Sequence, residues 1–340
     1  MKYRLMNWLI CPHCKSDNLL LESTKTVKTD VFSSHIFDGD MEEDWENEVI
    51  EGAIHCSDCE TYYPIRDGIP RMVIGELGPK SQHRTTTFDK AIDVWEEHFK
   101  ELSYPLVEKD YLGKIVVDIG CGYGRHAFFA GRYGAEVIAI DSSEDAVLST
   151  SKNCASFKHV HVVMADAAQL PIKSQVIDHA YCFGVLHHIE NPLEVMKKAT
   201  DILKPSGSLS LWVYGPRQGL TLMINNALRG MTTNMSHDEL LRFSRIIASS
   251  LRLFSHTPYK VFGQIPALRS IVSHLPVHDH HKWPFDVVVA DIYDRLRIPV
   301  LHWFTGEDLE KWYGNMGYAN FTVRRRIGNN ETFCAIGFRR

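Results

Sequence analysis

The chain has 340 residues, of which 44% are hydrophobic and 23% are charged. This composition is typical of a globular protein and excludes the disordered, collagen-like and coiled-coil classes. The net charge of -5 argues against strong non-specific binding to nucleic acid. The length predicts one large domain with an appendage, or two domains. The apolar runs are too short for a membrane span and the first residues lack a signal-peptide pattern, so we expect a cytoplasmic protein.

Near the N-terminus, four of the eight cysteines form two Cys-x-x-Cys pairs, Cys11 with Cys14 and Cys56 with Cys59. Each pair can place two thiolates on one tight turn, and two such turns make a closed tetrahedral site for Zn²⁺. A redox pair is the alternative, but a dithiol switch does not require two motifs. We therefore predict one structural zinc held by these four cysteines.

The long segment between the two cysteine pairs must loop out of a minimal metal site. Residues 38–51 hold eight acidic residues and no Lys or Arg, which indicates a solvated loop, with an acidic docking surface as the alternative. Residues 63–70, Tyr-Pro-Ile-Arg-Asp-Gly-Ile-Pro, predict a strand, an Asp-Gly turn and a second strand. A Gly- and Pro-containing linker is expected at 75–84.

Cys-x-x-Cys followed by this strand-turn-strand segment resembles the zinc ribbon of the Trm112-like family. These small domains partner or precede methyltransferases. The resemblance implies a zinc-ribbon domain over residues 1–75 and a protein partner as one use of it.

Apolar runs alternate with segments of helical period from about residue 85 to 214. This alternation predicts βαβ units on a parallel sheet. Asn191-Pro192 predicts a helix start and Lys204-Pro205 the end of that helix, with Leu203 on it. The predicted strands are 115–117, 137–140, 160–164, 177–183 and 209–213.

The first of these strands ends in a glycine loop that contains Asp118, Gly120, Gly122 and Gly124. Glycines let the backbone approach a ligand closely, and the N-terminus of the following helix offers free amides. The dinucleotide fingerprint fails because Arg125 stands where its last glycine is required. The acid before the glycines would repel a pyrophosphate and suits a ligand with a cationic amino-acid tail.

Acids also close the next two strands, Asp141 and Asp166. A carboxylate at the first position can accept both hydroxyls of a ribose, and one at the second could accept from an adenine amino group. Asp141 alone could instead cap a helix that begins near Ser143. Because ligands bind at the carboxyl ends of the strands in open α/β sheets, the three acids in register predict a cofactor site.

The segment 117–124, with Asp141, Ala165-Asp166 and residues 184–188, Gly-Val-Leu-His-His, resembles class I S-adenosylmethionine-dependent methyltransferases. Members with an N-terminal zinc ribbon are especially similar. The resemblance implies an α/β, Rossmann-like fold over residues 85–340. Its sheet would have seven mostly parallel strands, closed by a C-terminal antiparallel hairpin.

The same resemblance implies S-adenosylmethionine as the cofactor and assigns its contacts. Asp118 and Gly120 would lie by the amino-acid tail, Asp141 would hold the ribose, and Asp166 with Ala167 would hold the adenine. The glycines at 122 and 124 belong to the same loop. Trp95, before the first strand, is expected to be a core aromatic rather than a lid over the cofactor.

The fourth predicted strand ends at His187-His188, where a methyl acceptor would meet the sulfonium. Either imidazole could take a proton from a hydroxyl acceptor, and we favour His187. The alternative is a histidine that bonds the backbone and packs at the strand end. The consecutive residues 278–281, His-Asp-His-His, are not expected to bind a metal because no distant partner is evident.

Residues 216–300 form an excursion that exceeds ordinary loop length. A capping box at 236–239 opens an apolar helical segment, so we predict a helical insert that covers the acceptor. The segment 291–302 resembles one found in ribbon-bearing methyltransferases, where Asp-Trp-x-Pro-x-Tyr precedes the histidine. Tyr293 and Asp294 depart from that pattern, so no acceptor role is carried over to Tyr293 or His302.

The predicted function is transfer of a methyl group to a hydroxyl or similar nucleophile of a small or carrier-linked metabolite. The enclosing insert and the negative charge favour such an acceptor. One alternative is a tRNA or rRNA methyltransferase whose zinc ribbon and C-terminal arginines hold phosphates. The other is a non-catalytic scaffold that uses the ribbon to bind a partner.

Overall fold

The computed structural model describes residues 1–28, 47–75, 92–216, 219–232, 234–273, 275, 278–298, 300, 302–326 and 329–340. Most of the predicted acidic loop, most of the predicted linker and part of the C-terminal turn lie outside these residues. The domain boundaries at 75 and 85 therefore stay predictions.

Four antiparallel strands form an N-terminal ribbon. They are β1 (Leu19–Lys28), β2 (Asn47–Cys56), β3 (Tyr62–Arg66) and β4 (Ile69–Met72). The turn between β3 and β4 has positive φ at both Asp67 and Gly68, +53° and +72°. Asp-Gly is a preferred pair for such a turn, so this predicted hairpin is confirmed.

Seven further strands form a Rossmann-like sheet in the order β7-β6-β5-β8-β9-β11-β10. The first five of these strands are parallel, and β11 is antiparallel to β9. The predicted α/β architecture with its C-terminal antiparallel hairpin is thus confirmed. The strands are β5 (Ile115–Ile119), β6 (Glu136–Asp141), β7 (Val160–Ala165), β8 (Ile177–Phe183), β9 (Leu203–Tyr214), β10 (Tyr318–Arg326) and β11 (Asn329–Arg339).

Helices flank this sheet and build the insert. The helices are α1 (Ile92–Ser103), α2 (Arg125–Arg132), α3 (Glu144–Asn153), α4 (Pro192–Asp201), α5 (Gly219–Thr232), α6 (His237–Leu251), α7 (Thr257–Phe262), α8 (Pro266–Val272), α9 (Phe285–Arg297) and α10 (Gly306–Asn315). A π-helical turn, Arg252–His256, joins α6 to α7. Short 3-10 helices are Tyr3–Asn7, Glu108–Asp110, Ala167–Gln169, Leu186–His188 and His278–Lys282.

The end of α4 differs from the prediction. The helix stops at Asp201, and Leu203 begins β9 by pairing with Ile177 of β8. The register shifts between Ile177 and His179, and Pro205 lies in this irregular start of the strand. A bulge is one of the few places where a strand accepts a proline, so Lys204-Pro205 does not mark a helix end here.

The ribbon extends the larger sheet, which the sequence analysis does not predict. Strand β4 pairs in parallel with β7, with Arg71 opposite Met164 and Met72 opposite Ala165. The eleven strands therefore form one sheet. The backbone amide of Lys173 also donates to the Trp8 carbonyl at 2.8 Å, which joins the ribbon to the segment before β8.

A buried ionic network lies between the ribbon and the sheet. Glu136, at the start of β6, is fully buried and accepts from Nε of Arg4 at 2.7 Å and from Nε2 of His161 at 2.9 Å. The Arg4 guanidinium also lies 5.1 Å from the centre of the Trp8 ring. The two charge-assisted bonds offset the desolvation of the buried Glu136 carboxylate.

The insert is helical, as the fold prediction has it. Ser236 and Glu239 form the expected capping box, with the Ser236 amide donating to Oε2 of Glu239 at 2.8 Å. Leu240 and Ala248 of α6 belong to an apolar cluster that includes Val288 and Ile292 of α9. Among the described residues, no helix combines the length and apolar character that a membrane crossing requires.

Replacing Glu136 tests how much the network holds the ribbon in place. Glu136→Gln keeps the shape but leaves the buried Arg4 charge uncompensated, so we expect a loss of about 3 kcal/mol in the free energy of unfolding. Denaturant unfolding measures it. Glu108→Gln, which breaks an exposed pair with Lys100, is the control and should cost less than about 1 kcal/mol. Equal effects of the two variants would show that the network does not stabilise the fold.

Candidate functional site

The glycine loop between β5 and α2 is held by backbone and side-chain hydrogen bonds. The amides of Gly120 and Cys121 both donate to the Ile140 carbonyl of β6, at 2.7 and 2.9 Å. The Thr150 hydroxyl of α3 donates to the Gly122 carbonyl at 2.8 Å. These bonds hold the loop against the ends of β5 and β6. The loop backbone therefore lies at the carboxyl ends of the parallel strands.

Two loop positions require glycine for steric reasons. Gly120 has φ of +77°, and a Cβ there would lie 2.4 Å from Cγ2 of Val185. Gly124 has φ of +83°, and its Cβ would lie 2.9 Å from Cγ2 of Thr150. Both values of φ are in the left-handed region that side chains disfavour. A larger residue at either position would displace the loop.

Asp118 is the next-to-last residue of β5, just before this loop, and is only 1% exposed. Neither of its carboxylate oxygens makes a well-aligned hydrogen bond within the described part of the chain. Burial raises the pKa of Asp118, and the charge of Asp141 raises it further, while the Ala127 amide and Arg125 oppose the shift. A buried carboxylate in this state is satisfied by a cationic ligand, which fits the ammonium group of S-adenosylmethionine.

Other buried polar groups that make no well-aligned hydrogen bond to a described residue lie around the loop. They lie in α1, α2, β8 and β9, and their rings form one cluster in which His98 is 6.1 Å from His126 and 5.7 Å from Trp212. Burial lowers the pKa of both His98 and His126, so both imidazoles are neutral at pH 7. Within the described residues, the nitrogen or hydroxyl atoms concerned are those of Trp95, His98, His126, Tyr181 and Trp212.

Asp141 and Asp166 lie at the same edge of the sheet as Asp118. Asp141 accepts from the Gly122 amide and from the Ser143 amide, both at 2.9 Å. Asp166 accepts from the Ala168 amide at 2.8 Å and caps the 3-10 helix that Ala167 begins. Asp141 thus holds the backbone just before α3, whose N-cap is Ser143, and is not itself the cap that the sequence left open as an alternative. A carboxylate offers about four acceptor positions, so both can still accept from a ligand.

The pair His187-His188 follows β8 in a 3-10 turn. His187 is fully buried, its ring stacks 3.8 Å from that of Tyr214, and its Nδ1 accepts from the Tyr214 amide at 3.4 Å. In a neutral ring the proton therefore lies on Nε2, which can donate but not accept. His188 is half-buried, with its ring 4.2 Å from that of His187.

Arg125 and residues of the insert also lie near the loop, which the sequence analysis missed. The Arg125 guanidinium lies 4.8 Å from the Trp95 ring centre, and that ring is 5.4 Å from Trp283. Burial opposes ionisation of Asp291 in α9, but the charges of Arg295, His280 and Arg125 together lower its pKa. No local sequence signal connects these groups, because they come together only through the tertiary fold.

The other sequence candidates have structural partners. The Tyr293 hydroxyl lies 2.7 Å from Nδ1 of His237, inside the contact between α6 and α9. The His302 ring bonds the Glu190 carbonyl at 3.0 Å. His280 stacks 3.6 Å from Trp283. Trp95 is 3% exposed and packs in the core, as expected.

The four N-terminal cysteines meet in one place. The Sγ atoms of Cys11 and Cys59 are 3.6 Å apart, those of Cys14 and Cys56 are 3.5 Å apart, and all four lie within 4.8 Å of one another. A tetrahedral zinc thiolate site has sulfur-sulfur distances of about 3.8 Å, so this set fits Zn²⁺. In the searched part of the chain, these cysteines are the one group of three or more side chains that could hold a metal.

The zinc site gives a direct prediction. Protein purified without chelator should contain about one equivalent of zinc, and Cys56→Ser should lose it and melt at lower temperature, because a structural zinc contributes folding free energy. Elemental analysis and thermal unfolding measure both effects. Cys334→Ser, a buried cysteine of β11, is the control and should keep its zinc. Well under one equivalent in the wild-type protein would contradict the assignment.

Comparisons with known proteins agree with this arrangement. Residues 117–211 match the methyltransferase domain family, and residues 2–68 match the Trm112p-like protein family. A tRNA U34 carboxymethyltransferase of Desulfotalea psychrophila is 26% identical over 130 residues, 36% of this chain and 41% of that protein. A ubiquinone biosynthesis O-methyltransferase of Coxiella burnetii is 30% identical over 99 residues, 28% of this chain and 42% of that protein.

The chain thus spans about two fifths of the length of these relatives. Among solved structures, an S-adenosylmethionine-dependent methyltransferase described as putative, from Listeria monocytogenes, is 28% identical, with 36% of this chain and 55% of that chain covered and a TM-score of 0.32. The two family matches cover the ribbon and the strands that carry the candidate site. The chain therefore joins a Trm112p-like N-terminal region to a class I S-adenosylmethionine-dependent methyltransferase domain.

Proposed function

We propose that this protein transfers a methyl group from S-adenosylmethionine to a hydroxyl or similar nucleophile of a small or carrier-linked metabolite. The observation that carries the cofactor half of this proposal is the buried carboxylate of Asp118 below the glycine loop. S-adenosylmethionine, when bound, supplies a methyl group attached to a cationic sulfur. Transfer of that methyl group leaves the sulfur as a neutral thioether.

The chain's own residues would bind and align the cofactor. Asp118 accepts from its ammonium group, and the missing side chain at Gly120 lets the backbone approach. Asp141 accepts from the ribose hydroxyls while it continues to hold the Gly122 amide. Asp166, with Ala167, faces the adenine. Alignment at about 3 Å supplies most of the rate enhancement in such a displacement, so rigid positioning is the main task of these residues.

A hydroxyl acceptor also needs a group that takes its proton. The sequence analysis favours His187 for this role, but the Tyr214 amide occupies its Nδ1 acceptor. We therefore assign proton transfer to His188, with the adjacent ring of His187, 4.2 Å away, as the neighbour that positions it. Both assignments are proposals that substitution can separate.

Fewer observations support the proposed class of methyl acceptor than support the cofactor. One of the two relatives is named for a tRNA and the other for ubiquinone biosynthesis. One feature favours a small or carrier-linked molecule: Asp291 and Trp283 of the insert lie close to the residues around the glycine loop, where they would enclose an acceptor.

Calorimetric titration with S-adenosylhomocysteine tests the cofactor site. We expect one site per chain in the wild-type protein, and at least tenfold weaker binding for Asp118→Asn and Asp141→Ala, because each loses a charged acceptor. Below its raised pKa Asp118 is neutral, so the wild-type affinity should increase with pH as this carboxyl ionises. Asp118→Asn should lose that increase.

Asp178→Asn, which alters an acid at the opposite end of β8, is the control and should bind like the wild-type protein. Absence of binding by folded, zinc-loaded wild-type protein would contradict the cofactor site and favour the scaffold alternative.

Transfer of a labelled methyl group tests the acceptor and the histidines. We expect label from S-adenosylmethionine in a small-molecule fraction of a cell extract and not in bulk tRNA or rRNA. With the acceptor in hand, His188→Ala should lower turnover by about 10² or more, because it removes the proton acceptor. His187→Ala should lower it less.

His55→Ala, a ribbon histidine bonded to Glu60, serves as the control and should leave turnover unchanged. Label in RNA instead of the small-molecule fraction would replace the proposed acceptor with the RNA alternative. Undiminished turnover of His188→Ala would retire its role as the base.

A further inference from the structure

The outer surface of the helical insert exposes large apolar side chains. Ile246 of α6 is 64% exposed, and Leu253 and Phe254 of the π-helical turn are 63% and 70% exposed. The surface continues through α7 and α8 with Val261, Phe262, Ile265 and Ile271. We refer to these seven side chains as the outer apolar face. The elements that carry them contact one another along the chain, and exposed apolar side chains grouped in this way indicate an interaction site.

These side chains are not part of the insert's own core. Helix α6 directs Leu240, Ser244 and Ala248 toward the interior, and each of the three is fully buried. Ile246 lies between them in sequence but on the other side of the helix. The insert is therefore apolar on two sides, and only its inner side is covered by the described residues.

The segment that carries the outer apolar face contains basic residues but no acidic ones. Residues 240–278 contain no Asp or Glu, although the whole chain has 42 acids in 340 residues. Five basic residues occur in this stretch and all are exposed: Arg242, Arg245, Arg252, Lys260 and Arg269. A chain with a net charge of -5 thus carries a locally basic, acid-free stretch, and the exposed apolar side chains of the outer apolar face lie in the same stretch.

We propose that the outer apolar face binds the surface of an anionic lipid bilayer. Exposed Phe, Leu, Ile and Val side chains would enter the headgroup region, and the arginines and lysine beside them would pair with lipid phosphates. This combination of an apolar side and acid-free basic flanks is the pattern of interfacial helices. A soluble protein partner with an apolar groove would not require the exclusion of every acid over this length.

The inner side of the insert connects this surface to the candidate site. Helix α9 packs on α6 through Val288 and Ile292, and Trp283, just before α9, contacts Trp95 beside the glycine loop. A bilayer bound to the outer face would therefore lie on the far side of the helices that flank the site. This binding does not depend on the identity of the acceptor.

Flotation of the full-length, zinc-loaded protein with lipid vesicles tests the proposal. The probes are vesicles of phosphatidylcholine alone and of phosphatidylcholine with phosphatidylglycerol at roughly 3:1. We expect binding to the anionic vesicles at low salt, little binding to the neutral ones, and weaker binding as salt increases. Leu253→Ser/Phe254→Ser should bind the anionic vesicles at least tenfold more weakly, because it removes apolar side chains that enter the interface.

Substitution of the basic residues separates the charge contribution. Arg245→Gln/Arg269→Gln should weaken binding by about fivefold for each arginine and reduce the salt dependence. Leu20→Ser/Leu193→Ser, which alters exposed leucines of β1 and α4, is the matched control and should bind like the wild-type protein. Unchanged circular dichroism and zinc content in all variants would show that folding is retained.

Three results would overturn the proposal. The first is no binding of the wild-type protein to anionic vesicles. The second is equal binding of the wild-type protein and the Leu253→Ser/Phe254→Ser variant. The third is a wild-type dimer in analytical ultracentrifugation that this variant converts to a monomer, without vesicle binding, because a second copy of the chain would then cover the face.

Discussion

The parallel pairing of β5 with β6 is the constraint on which the candidate site depends. Asp118 lies opposite Ala139 in this ladder, so Asp141, two residues farther along β6, comes at the same end of the sheet. Burial raises the pKa of Asp118, and the charge of Asp141 raises it further. Ionisation of Asp118 is therefore unfavourable in the folded chain, and a bound cation would make it favourable.

The ribbon is attached to β7, one of the parallel strands whose carboxyl ends carry the three acids. Strand β4 covers the side of β7 that would otherwise be an open sheet edge, which protects it from pairing with other chains. Met72 pairs with Ala165, the residue directly before Asp166. Packing of the ribbon therefore helps to fix the strand end that carries the third acid. The four-cysteine group of the ribbon and the candidate site in the sheet thus share one backbone framework.

The sequence predicts the features that depend on neighbouring residues. Apolar periodicity predicts the five parallel strands, and residue spacing brings together Cys11, Cys14, Cys56 and Cys59. Features that depend on distant residues were missed. The Arg4 and Glu136 pair joins residues far apart in the chain, and neither has a local signal that marks it as buried. At Leu203 the local preference for helix was overridden by pairing with β8.

Side-chain roles at the site were harder to predict than positions. Asp141 closes β6, as the sequence predicts, but its bonds to the Gly122 and Ser143 amides show that it also holds the glycine loop in place. An acid that holds the loop and an acid that also binds a ligand would give the same signal in the sequence. His187 is similar, because its position after β8 is readable from sequence while its bond to the Tyr214 amide is a tertiary fact.

The insert shows why a net charge is a weak guide to partners. A total of -5 is a sum over the whole surface, and a partner meets only one part of it. The acids are concentrated elsewhere, and residues 240–278 have none. The apolar content of α6 is equally ambiguous in sequence, because a helix with apolar residues on two sides is normally read as buried. The structure buries only the side of α6 that faces α9, and the apolar and basic residues on its other side remain in contact with solvent.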